Sequence, residues 1–119
     1  MKNVQIENAK IIFADLSMSD CGVLAYEIGL EGNGWGCVFG NRVIGKGYLD
    51  AKEFQGCAKG TEALMRIMDT VGVDKWSKLK DQYVRVETTG WGDQITKIGN
   101  IITDKWFDEI EFFKGVVRE

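Results

Sequence analysis

The stretch "GCAKGTEALMRIMDTVG", residues 56–72, decides how the rest of the chain is read. Ala58, Leu64, Ile67, Met68 and Val71 recur at three- and four-residue spacing, with Lys59, Glu62, Arg66 and Asp69 elsewhere around the wheel. The spacing predicts one principal helix over about 56–71, closed by Gly72, because glycine takes the left-handed C′ conformation without a Cβ penalty. Met65 and Met68 read as core filler. Lys59-Gly60-Thr61 lacks the GxxxxGK[ST] order of a phosphate loop, which leaves only the backbone donors of a helix N-terminus there.

On both sides of the helix the pattern turns to strands. Val4-Gln5-Ile6 and Lys10 to Ala14 carry β-branched content, Asp15 to Ser19 reads as a turn, and Val23 to Leu30 is a third strand. Leu24, Tyr26 and Ile28 share one face of it and Val23, Ala25 and Glu27 the other. Glu31 to Gly47 is punctuated by glycine throughout and reads either as a hairpin or as a binding loop. After the helix, Asp74 holds an N-cap position before a short second helical turn with Trp76 and Leu79 at i, i+3. Tyr83 to Glu87 alternates as a half-buried strand, Gln94 to Thr103 reads as another, and "DKWFDEIEFFKG" (104–115) as a helical turn or docked tail. The order βββ–α–ββ predicts an α+β fold: a single domain over 1–119, mainly antiparallel sheet with one principal helix.

Composition narrows the chemistry. A net charge of −3 gives no general attraction to a DNA or RNA duplex or to an anionic membrane. No apolar run approaches the roughly 20 residues that span a bilayer, and "MKNVQIENAK" lacks the apolar region of a signal peptide. Cys21, Cys37 and Cys57 form no CxxC pair, which suits free thiols in a reducing cytoplasm. Histidine is absent, and with it the usual general base and the commonest metal ligand, so neither a metal site nor a catalytic constellation is expected. Carboxylates are plentiful, but no spacing singles out an acid–base pair.

A tripeptide occurs twice: Gly34-Trp35-Gly36 and Gly90-Trp91-Gly92. Flanking glycines leave an indole open for stacking and let backbone N–H groups approach a phosphate; alternatively each tryptophan turns a sheet corner and folds back on the core. Trp35, in the longer glycine-rich segment with Phe39 nearby, is the pocket candidate, and Trp91 the structural corner. Arg85, on the strand face away from Val84 and Val86, is either an ion pair with Glu87 or a fork for phosphate. Lys97 either joins the face Arg85 uses or is solvated. Asn100, between Gly99 and Ile101, is a bulge or a reader of a base edge. Lys105, where a strand ends, closes over an anion or is an exposed lysine.

Asp74 to Phe107, "DKWSKLKDQYVRVETTGWGDQITKIGNIITDKWF", together with "VQIENAKI" and "GWGCVFG", resembles small phage-encoded proteins of the Thoeris anti-defence 1 family. The resemblance runs from residue 2 to about 113 and is most specific in "YVRVE" and "IGNIITDKWF". It departs at "CVFGNRVIGKGY" (37–48), where the family has a glycine–aromatic run "GFGGY", so a pocket wall near Phe39 and Tyr48 is not carried over. The resemblance implies a homo-oligomeric sponge in the host cytoplasm. It would bind a cyclic ADP-ribose isomer or a related cyclic nucleotide without cleaving it, and would need no cofactor. Trp35, Phe39, Arg85, Asn100 and Lys105 are then the ligand-binding candidates. The competing readings are a small interaction module that inhibits a host protein by direct binding, and a histidine-free enzyme acting on nucleotides. Four tryptophans and six phenylalanines, several of them in the tail, predict self-association through Trp106, Phe107, Phe112 and Phe113.

Overall fold

The computed structural model describes residues 4–19, 22–48, 53–89 and 94–114. Strands β1 (Gln5–Met18), β2 (Val23–Gly32), β3 (Trp35–Tyr48) and β4 (Glu53–Gly56) lead into helix α1 (Ala58–Val71). A 3-10 turn at Trp76–Lys78, strands β5 (Tyr83–Thr88), β6 (Lys97–Asn100) and β7 (Trp106–Asp108), and the short helix α2 (Glu109–Phe112) follow. All seven strands form one antiparallel sheet in the order β4-β3-β2-β1-β5-β6-β7. The α+β fold expected from the sequence is the fold observed.

Alternation decides which face is the core. Ile11, Tyr26, Ile28, Leu30, Phe39, Val84, Val86 and Ile98 are fully buried on one side of the sheet, where Ala63, Ile67 and Val71 of α1 join them. The helix approaches β3 closely because residue 60 is glycine: a Cβ there would lie 2.6 Å from the Cγ2 of Ile44. Cys57 caps its start, the Sγ accepting from the Gly60 N–H, and Gly72 ends it in the left-handed conformation.

Several local expectations are corrected. The helix's buried stripe is Gly60, Ala63, Ile67, Thr70 and Val71, while Met65 is 57 % exposed and fills no core. The 15–19 turn is the continuation of β1, with Asp15 opposite Glu27 and Met18 opposite Leu24. Of the Glu31 to Gly47 segment, Asn33-Gly34 makes the two-residue turn of the β2–β3 hairpin, with Gly34 at φ +80°, and the residues from Trp35 on are strand β3. Asp74 caps nothing; Lys75 holds the N-cap position of the 3-10 turn, and Asp74 pairs with Lys78 at 2.9 Å. The strand read over 94–103 is confined to Lys97–Asn100, and Ile102 beyond it is 87 % exposed. The tail keeps the expected helical turn, α2, but begins with edge strand β7, which the sequence pattern does not predict. Trp91 and Cys21 lie outside the described residues.

Candidate functional site

Cross-strand register builds the site. Arg85 stands opposite Gly99, and Gly99 opposite Trp106, so the three form a row across β5, β6 and β7 on the face away from the core. Gly99 leaves a gap that the indole fills: a Cβ there would lie 2.6 Å from the Trp106 ring. The Arg85 guanidinium carbon sits 4.8 Å from that ring's centroid and the Lys97 ammonium 5.2 Å from it, within cation–π range. The indole N–H donates to Asp104 at 3.1 Å.

Arg85 is locked in place without being neutralised. Its Nε donates to the Asn100 carbonyl at 2.7 Å and an Nη to the Thr103 carbonyl at 2.8 Å. Glu87, the expected partner, pairs instead with Lys97 at 3.1 Å. Two of the five guanidinium donors thus hold backbone, and the charge is not matched by a carboxylate among the described residues.

Beside this row, along the outer edge of β7, runs a groove of about 360 Å³ between α1 and α2. Arg66, Asp69, Lys105, Trp106, Glu111 and Phe112 are among its lining. Lys105 reaches Asp69 at 3.4 Å across the surface. Phe112 is flanked by Lys59 at 4.1 Å and Arg66 at 5.5 Å.

The wall formed by α2 is anchored from below. Glu109 is 1 % exposed; Tyr26 OH donates to one of its oxygens at 2.6 Å and Arg42 Nε to the other at 3.1 Å. Burial first, then the Glu109 charge and hydrogen bond, push the Tyr26 phenol far above its ordinary range, with Arg42 opposing. Arg42 also lies 5.5 Å from the Phe113 ring.

Of the five residues picked from the sequence, Arg85, Asn100 and Lys105 meet at this corner, while Trp35 and Phe39 do not. Trp35 folds back over Gly32, packs half-buried against the core and donates its indole N–H to Glu7 at 3.2 Å. Phe39 is fully buried, edge-on to Phe107 at 6.3 Å, and offers no surface to a ligand. Asn100 is present but occupied. Its amide donates to the Thr70 and Val71 carbonyls at the end of α1, and its oxygen accepts from the Ile102 and Thr103 N–H groups. That fills both donors and both lone pairs, so it reads no base edge; it ties α1 to β6 and ends the strand. The residue passed over is Trp106, assigned by sequence to the tail. Its signal is a glycine across the strand, visible only once register is known.

Cys37 is half-buried, and burial pushes its thiol up, against a weaker lowering from a hydrogen bond with the Ile95 backbone. Among the described residues no group of three or more Cys, Asp and Glu is placed to hold a metal ion. No helix among them is long and apolar enough to cross a membrane. No protein-family model, curated protein or solved structure matches the chain.

Proposed function

We propose that this chain is a phage-encoded anti-defence protein that binds a cyclic ADP-ribose isomer, or a related cyclic nucleotide, and sequesters it uncleaved in the host cytoplasm. One observation carries the reading. The two stretches in which the resemblance is most specific, 83–87 and 98–107, converge on one corner, where Arg85 and the neighbouring Lys97 lie over the Trp106 ring and Lys105 lines the adjacent groove. Such a ligand presents a base to stack and two phosphates to neutralise. Stacking on an aromatic side chain contributes about 1–3 kcal/mol per base, and Arg85 keeps donors for a phosphate. The groove's volume is at the lower end of the roughly 300–1,000 Å³ usual for ligand sites.

Self-association belongs to the same reading, but the expected tail interface is not free as a whole, since Phe107 is 3 % exposed and Phe112 and Phe113 pack against the core. Ile6 on β1 and Val38 and Val43 on β3 leave apolar surface, exposed by 56, 43 and 40 %, and Phe54 on edge strand β4 is 75 % exposed. A homo-oligomer covers such surfaces, and sedimentation as a 13.4 kDa monomer at micromolar concentration would refute it.

The test of function is retention followed by release. The protein is incubated with cyclic ADP-ribose isomers, filtered, and heated. A sponge depletes the filtrate and returns the ligand intact. A hydrolysed product would make the chain an enzyme, and an undepleted filtrate would favour direct inhibition of a host protein.

A further inference from the structure

The groove beside β7 differs in chemistry from the cation–indole row next to it. Its lining carries Asp69, Asp108 and Glu111 against Arg66 and Lys105, so it repels a phosphate more than it attracts one. What it offers is backbone. β7 is the last strand of the sheet and pairs only with β6 among the described residues. The Asn100 N–H donates to the Lys105 carbonyl and the Glu109 N–H to the Thr96 carbonyl, both at 2.9 Å. In an antiparallel ladder the bonding pairs alternate, so Ile98 and Phe107 form the bonding pair between those two. Trp106 and Asp108 therefore turn their backbone groups away from β6, toward the groove.

Along that edge the Trp106 C=O is followed by the Asp108 N–H, an acceptor and a donor on one side of one strand. A 6-aminopurine presents the complement, an exocyclic N–H beside a ring-nitrogen acceptor. Hypoxanthine presents the reverse, a carbonyl beside a ring N–H. The flanking carboxylates tolerate a neutral base, and Phe112 supplies an apolar wall.

We infer that this edge reads the base of the bound nucleotide: the Trp106 C=O accepts from the exocyclic amine of adenine and the Asp108 N–H donates to the adjacent ring nitrogen. The phosphates then lie toward Arg85 and Lys105. The inference rests on the nucleotide-binding reading above and adds a base preference to it.

ADP-ribose and its hypoxanthine analogue, inosine diphosphate ribose, differ only at this base edge and serve as probes with the full chain. Calorimetry should give at least about tenfold tighter binding of ADP-ribose, because the reversed edge leaves a buried donor and acceptor unpaired. The Asp108 amide should shift in nitrogen–proton spectra on adding ADP-ribose. Asp108→Pro, which removes that N–H, should abolish the preference. Because Asp108 also caps α2, the amide shift in the unaltered chain decides the matter where the proline variant does not fold. Equal affinities, or a bound ADP-ribose that leaves the Asp108 amide unmoved, would overturn the base reading and leave nucleotide binding standing. Binding of neither compound would overturn the base reading, while the nucleotide-binding reading stands or falls on the filtration with cyclic ADP-ribose isomers.

Discussion

Two arginines on one sheet are used in opposite ways. Arg42 on β3 points into the core side, meets the buried Glu109 carboxylate at 3.1 Å and rests against Phe113. Arg85 on β5 points to the outer side, rests against Trp106, and gives its hydrogen bonds to two carbonyls. Both guanidinium groups are fixed by an aromatic ring and by hydrogen bonds. Among the described residues only Arg42 of the two meets a carboxylate. A cation held rigidly by neutral groups is preorganised for an anion that arrives later, whereas one closed against a buried carboxylate is part of the frame.

The frame should therefore be where substitution is most damaging to stability. Glu109→Ala leaves the Arg42 charge and the Tyr26 hydroxyl without their partner, and removing one member of a buried pair costs about 3–5 kcal/mol. The Arg42 side chain is 22 % exposed, so a loss near the lower end, about 3 kcal/mol, is expected in urea unfolding. Arg85→Ala should lower stability by less, about 1.5 kcal/mol, the lower end for hydrogen bonds from a charged donor, because one of its two bonds is exposed. Equal losses would erase the distinction between the two arginines.

Binding should reverse the ranking. Arg85→Ala and Lys105→Ala should each weaken a cyclic ADP-ribose-type ligand by about tenfold to a hundredfold, since one charge-assisted contact contributes about 1.5–3 kcal/mol. Lys2→Ala and Lys10→Ala are the controls; Lys10 already pairs with Asp81 at 3.7 Å. Unchanged affinity in both test variants would move the site elsewhere.

How much of this was legible beforehand follows from the range of the interactions. The principal helix, its glycine stop and the alternation of Tyr83 to Glu87 rest on neighbours within a few residues, and those held. The tryptophans depended on register, and there the sequence misled. Trp35 stands between two glycines in the chain, yet the glycine that makes room for its ring is Gly32, across the hairpin. Trp106 stands between Lys105 and Phe107, and its glycine is Gly99, across β6. Both indoles donate to a carboxylate, Glu7 and Asp104; among the described residues only the second has cations over its ring. Asn100 misled for a related reason. A lone polar residue in an apolar run signals a specific hydrogen bond, but not whether its partner is a ligand or the end of a distant helix.

Alkaline pH should separate the frame from the site again, through Tyr26. In the unfolded chain its phenol ionises near pH 10, whereas in the fold burial and Glu109 hold it protonated well above that. The folded state thus keeps a proton that the unfolded chain releases. The associated stabilisation is complete below about pH 10 and is lost as pH rises further, by about 1.4 kcal/mol per pH unit. Urea midpoints measured from pH 9 to 11.5 should show that slope, and Tyr26→Phe should flatten it. A variant with the same slope as the parent would assign it to other groups.

The smallest effect tests the site alone. Lys105 pairs with Asp69 at 3.4 Å, with side chains 55 and 73 % exposed. A pair so open to water contributes well under about 1 kcal/mol and weakens with salt, so Asp69→Asn should leave the urea midpoint almost unchanged. Its effect on binding should have the opposite sign to the lysine and arginine substitutions. Releasing the Lys105 ammonium from a competing carboxylate, and removing one negative charge from the groove, should tighten a phosphate-bearing ligand by a few-fold at low ionic strength. The gain should shrink as salt screens the vanished repulsion. A loss of affinity in Asp69→Asn would mean that Asp69 touches the ligand through its carboxylate, and that Lys105 serves to hold Asp69 in place.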